Sequence, residues 1–143
     1  MRSDVLNVNS SSTFTHKKKV QSINADITLT NEDSGKVFML DAADAAVAIT
    51  LPTASTGEDG VYYKFIVEEE TPTNAITIGA GSAIVSFVGI DVSGTAASTA
   101  GTQVSNIVIG STAQKGDVVE LMFTKGEYVG TVLSGIDGAI TTS

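Results

Sequence analysis

The residues of this chain that could do chemistry are few and do not converge. His16 is its one histidine, and it has no cysteine. A Ser-His-Asp system needs the imidazole held rigidly between a hydroxyl and a carboxylate. His16 instead lies in a polar N-terminal stretch with no core to fix it, and no G-x-S-x-G elbow occurs. The lack of cysteine removes thiolate nucleophiles, thiolate metal sites and disulfides together. "GAGSAIVSFVG" offers Gly79 and Gly81, but the run that follows alternates like a strand. It does not open the helix that a phosphate loop needs. The acidic groups Glu32–Asp33, Glu58–Asp59 and Glu68–Glu69–Glu70 lack the spaced oxygens of a calcium loop and read as turns and a solvated strand end. Carboxylates for glycoside hydrolysis meet only in space, but the chain has no tryptophan for a sugar platform. The inventory predicts no enzyme, no cofactor and no metal.

What stands out instead is charge. Lys17, Lys18 and Lys19 follow His16 directly in a chain with sixteen acids and eight bases. Residues 1–22 carry Arg2 and the three lysines against Asp4, a net of +3, while residues 23–143 carry four lysines against fifteen acids, a net of −11. So acidic a body repels phosphate, and three lysines bind nucleic acid weakly at physiological salt. No nucleic-acid partner is expected. The first 22 residues are rich in Ser, Asn and Thr with scattered apolar residues, and read as an extended arm without its own core. Val5, Leu6, Val8 and Phe14 are its candidate anchors, and Lys17, Lys18 and Lys19 its candidate charged contacts.

The body that must position this arm has a different grammar. From Ile23 the apolar period is two: Val47, Ile49 and Leu51; Tyr63, Phe65 and Val67; Val119, Leu121 and Phe123. Such alternation marks half-buried strands. Ser34-Gly35, Asp59-Gly60, Lys125-Gly126 and Asp137-Gly138 punctuate it as turns. The pattern predicts strands near 26–30, 36–41, 47–51, 61–69, 75–79, 83–90, 103–110, 117–124, 127–133 and 136–140. The clearest hairpin has Lys125-Gly126 at its tip. "DAADAAVA", Asp41 to Ala48, is alanine-rich but short, and reads as a wide hairpin loop. The fold class is therefore all-β, an antiparallel β-sandwich or jelly-roll-like barrel over residues 23–143 with the arm at 1–22.

Two further features bear on partners. "KVFML" is apolar on both faces, Val37 and Met39 opposite Phe38 and Leu40, where a sandwich needs one apolar face per sheet. Such surplus suits burial between subunits, or a central strand. Gly89 to Gln103 is a long, small-residue segment that reads as a contact loop. No apolar run is long enough to span a membrane, and no apolar h-region opens the chain, so neither a membrane partner nor a secretory signal is expected.

Ala25 to Glu70 resembles a segment of small β-rich structural proteins of tailed bacteriophages. The carriers are T-L-T-x-x-D-S-G-K-x-F at Thr28 to Phe38, I-T-L-P at Ile49 to Pro52, and "YYKFIV" at Tyr62 to Val67. "GDVVELMFTKGEYVGTVLSG" is similar to the closing hairpin of the same proteins, with Tyr128 where tryptophan is frequent. The resemblance covers about half of the chain and carries no catalytic residue. It is closest to capsid decoration (cement) proteins. It implies a virion component, made in the host bacterial cytoplasm, that binds the major capsid protein on the shell's outer surface and stabilises it. It also implies a homo-oligomer, with a trimer favoured. Val5, Leu6, Val8 and Phe14 would then anchor the arm, while Lys17, Lys18 and Lys19 meet acidic groups on a capsid subunit or a sister subunit. The other reading is a tail- or head-fibre module that binds a host receptor or glycan.

Overall fold

The computed structural model describes residues 17–53, 55–80, 85–91 (as backbone), 104–136 and 138–143. Among these residues, eleven strands form two sheets. They are β1 (Val20–Ile23), β2 (Ile27–Thr28), β3 (Val37–Leu40), β4 (Val47–Thr50), β5 (Tyr62–Val67), β6 (Ile76–Gly79), β7 (Val85–Asp91), β8 (Asn106–Ile109), β9 (Val118–Thr124), β10 (Glu127–Ser134) and β11 (Ile140–Thr142). The six-stranded sheet has the order β1-β3-β5-β9-β10-β7, and the five-stranded sheet the order β11-β8-β6-β4-β2. The all-β sandwich matches the alternation read from the sequence; nine of the ten predicted strands have a counterpart, and the tenth, 136–140, meets the observed β11 only at Ile140.

The strand directions differ from the antiparallel expectation. The chain changes sheet at every connection from β1 to β9, so β1, β3 and β5 neighbour one another in one sheet and β2, β4 and β6 in the other. Strands laid down by successive turns of such a winding run the same way, and β1–β3, β3–β5, β2–β4 and β4–β6 are all parallel, as is β7–β10. The remaining pairings, β9–β10, β5–β9, β6–β8 and β8–β11, are antiparallel. Asp41 to Ala48 is accordingly no hairpin loop, since it carries the chain from β3 in one sheet to β4 in the other. The β9–β10 hairpin is as predicted, with Lys125 and Gly126 both at positive φ (52° and 85°), as a type I′ turn requires.

The core lies between the sheets and is asymmetric. The six-stranded sheet contributes the aromatics Phe38, Tyr63, Phe65, Phe123 and Tyr128, and the five-stranded sheet contributes Ile49, Ile76, Ile78, Ile107 and Ile109. Phe38 stacks on Phe65 at 5.4 Å, and Phe123 meets Tyr128 edge-on at 5.0 Å. The two deepest phenols also fasten loops. Tyr63 donates to the Thr30 carbonyl (2.8 Å) and Tyr128 to the Pro52 carbonyl (2.9 Å), which satisfies polar atoms carried into the core.

Candidate interaction surface

The lysine run lies at an edge of the sandwich. Lys17, Lys18 and Lys19 are exposed and lead directly into β1, the first strand of the six-stranded sheet. The ladder begins at Lys19, whose carbonyl accepts from the Val37 amide at 2.9 Å. Val20 to Ser22, read from the sequence as arm, are thus part of the sheet. Sequence reasoning missed β1 because Val-Gln-Ser-Ile presents no complete alternation. The anchors Val5, Leu6, Val8 and Phe14 lie outside the described residues, as do His16 and most of the contact loop Gly89 to Gln103.

The two outer faces of the sandwich contrast sharply. On the five-stranded sheet, alternation turns Thr28, Ala48, Thr50, Thr77, Asn106, Val108 and Thr141 outward, which makes a small-residue, uncharged surface. On the six-stranded sheet the outward residues are larger and more apolar. Val20 is 61 % exposed, Leu133 52 % and Met122 42 %. The strand registers align these outward residues in rows across the sheet. One row runs Met39, Ile66, Val118, Leu133. The next runs Val20, Val37, Lys64, Glu120, Thr131, and a third runs Tyr62, Met122, Val129.

Lys64 and Glu120 stand opposite each other at the centre of this face and form an ion pair at 2.7 Å, each side chain about one-third exposed. The hydrogen bond between them raises the Lys64 ammonium above its ordinary value and lowers the Glu120 carboxyl below its own. Burial, aided by the Glu120 charge, raises the neighbouring Tyr62 phenol. Beside the pair, Tyr62, Met122, Val129 and Gly130 help to line a shallow groove of about 400 Å³.

A second concavity sits at one end of the sandwich. Thr28, Thr30, Asn31, Thr50, Thr53 and Thr56 are among the residues lining a cleft of about 300 Å³. Asn31 donates through Nδ2 to the Thr56 carbonyl at 2.8 Å, while its buried Oδ1 has no partner among the described residues.

The acidic groups singled out in the sequence do structural work. Asp33 bonds the Thr30 amide and hydroxyl and pairs with Lys36. Burial works to raise the Asp33 carboxyl, and these bonds outweigh it, so the net shift is downward. Asp59 accepts from the Lys125 amide at the hairpin tip (2.7 Å), and Glu69 accepts from the Ala42 amide. Among the described residues, no group of three or more His, Cys, Asp or Glu side chains converges as metal ligands would, and no helix is long and apolar enough to cross a membrane.

No protein-family model matches the chain, and no curated protein matches it.

Proposed function

We propose that this chain is a non-enzymatic structural protein of a tailed-phage virion. In this reading it is a capsid decoration protein that binds the major capsid protein on the outer surface of the shell, works as a homo-oligomer, and attaches through its N-terminal arm and loops. The observation that carries the reading is the placing of charge. An acidic sandwich has its one run of consecutive, exposed cations, Lys17 to Lys19, tied to an edge strand. A tether emerging from a rigid sheet edge can reach a neighbour without disturbing the core. The apolar–basic makeup of residues 1–19 supplies both packing and charge complementarity for that neighbour.

The test separates the tether from the body. Because β1 begins at Val20, a deletion of residues 1–16, or charge reversal of Lys17, Lys18 and Lys19 to Glu, spares the sequence of every described strand. Either change is expected to lower occupancy on purified capsids at least tenfold while the unfolding midpoint stays put. Undiminished occupancy in both variants would refute attachment through the arm.

One observation favours the fibre-module reading, in which the chain binds a host receptor or glycan. The end cleft is bordered by five threonines together with Leu29, Leu51 and Pro52, and by Asn31, whose buried Oδ1 has no partner among the described residues. Saturable binding on a glycan array, lost in Asn31→Ala, would move the assignment to that class.

A further inference from the structure

We propose that the outer face of the six-stranded sheet binds a second copy of this chain, about a two-fold axis that runs parallel to β5 and β9 and passes between them. The inference goes beyond the decoration reading, since it does not depend on what the arm binds.

The argument rests on the rows of outward residues. A two-fold axis along the strand direction, midway between β5 and β9, lays β5 of one copy over β9 of the other, and β3 over β10. Rows are preserved, so Lys64 faces Glu120 of the second copy and Glu120 faces its Lys64. By the same operation Ile66 faces Val118, Met39 faces Leu133, and Tyr62 faces Met122. The contacts between β5 and β9 thus become apolar on apolar or cation on anion, and in the flanking β3–β10 contacts Met39 meets Leu133 while Val37 meets the Thr131 side chain. A surface self-complementary under a two-fold axis is what an isologous interface requires. Two twisted sheets packed face to face cross at about −30°, so the match is tightest at the centre and slackens toward the corners.

Charge narrows the choice of occupant. Residues 23–143 carry a net −11, yet the two charges at the centre of this face cancel. The rest of the body would favour a basic partner, whereas this neutral patch favours one with the same alternation of signs. Area allows the pairing. Six strands about 4.8 Å apart and some six residues long cover roughly 29 by 20 Å. That is about 600 Å² from each copy, or about 1,200 Å² in all, the lower bound of specific interfaces. The double-sided apolarity of β3 has the same cause, because Phe38 and Leu40 fill the core while Val37 and Met39 meet the second copy. The pair replaces the trimer implied by the resemblance, and it carries two arms, one from each β1 edge, on opposite sides of the axis.

Light scattering on the full chain at micromolar concentration is expected to give twice the chain mass. Leu133→Glu and Ile66→Glu are each expected to give the single-chain mass with an unchanged circular dichroism spectrum. Orientation is read by cross-linking, since the chain has no cysteine of its own. Across the two-fold axis Met39 lies three strand spacings, about 14 Å, from its own copy, and Leu133 from its own, too far for a disulfide between like positions. Mild oxidation of a Met39→Cys chain mixed with a Leu133→Cys chain is expected to yield the linked pair, and neither variant alone is expected to do so. A chain with residues 1–16 deleted is expected to pair as the full chain does. A monomeric or trimeric full chain, self-linking by either single variant, or loss of pairing on arm deletion would each overturn the proposal.

Discussion

Removing the hydroxyls of Tyr63 and Tyr128 tests how the loops at one end of the sandwich are held. Tyr128→Phe leaves the carbonyl of buried Pro52 without its 2.9 Å donor, and Tyr63→Phe does the same to the more accessible carbonyl of Thr30. An orphaned acceptor costs about 1–3 kcal/mol according to its burial. The expectation at neutral pH is about 2 kcal/mol for Tyr128→Phe and about 1 kcal/mol for Tyr63→Phe. Alkaline pH adds an independent reading. Burial pushes the Tyr63 phenol up to about 12 from its ordinary value of 10, and burial also raises Tyr128, helped by the neighbouring Tyr63. Above pH 10 the unfolded chain loses phenolic protons that the folded chain keeps, so stability falls as pH rises. The fall approaches 1.4 kcal/mol per pH unit for each group, or close to 3 kcal/mol for the two between pH 9 and 11. Urea unfolding followed by circular dichroism at pH 7, 9 and 11 measures both effects, with phenolate absorbance reporting ionisation. The double Phe variant is expected to be weaker than the parent at pH 7 and to lose much less between pH 9 and 11. Parallel pH profiles for parent and double variant, or all phenols of the folded parent ionising near pH 10, would show that these hydroxyls are not desolvated anchors.

Two further substitutions probe the sheet itself. Asp117 is buried and accepts from Ser134 Oγ (2.8 Å), the Gln114 amide (2.9 Å) and the Gly135 amide (3.0 Å). Asp117→Ala is expected to cost about 3–5 kcal/mol, and thermal unfolding should fall by more than about 6 °C; a fall under about 2 °C contradicts the three-donor account. Gly130 sits where an added Cβ would lie 1.9 Å from the Glu120 carbonyl oxygen. Gly130→Ala is therefore expected to lower stability by at least about 2 kcal/mol by forcing β9 and β10 apart, and a neutral result in the same urea experiment refutes the close approach.

Part of the candidate surface is legible in the sequence. The apolar Val37 and Met39 opposite Phe38 and Leu40 signalled a strand apolar on both faces, and in the fold Phe38 and Leu40 are buried while Val37 and Met39 stay partly exposed. The position of the lysine run marked a junction, and the structure shifts that junction to Lys19–Val20. The central ion pair was not legible, because Lys64 and Glu120 are 56 positions apart in the sequence and meet only through the β5–β9 register. Nor could the alignment of Met39, Ile66, Val118 and Leu133 be seen, since it depends on three registers at once.

By itself the sequence determined which residues alternate, where the chain turns, and that residues 23–143 contain neither histidine nor cysteine. These are local matters: a period of two sets the two faces of a strand, and Lys125-Gly126 closes a hairpin whatever surrounds it. Only the tertiary structure decided which strands are neighbours. A strand's pattern states that one face is buried but not against what, so an antiparallel meander and a winding between two sheets look alike along the chain. The switch of sheet at each connection made the β1–β3–β5 and β2–β4–β6 pairings parallel. With β9 paired to β5, it also assembled an apolar outer face around Lys64 and Glu120.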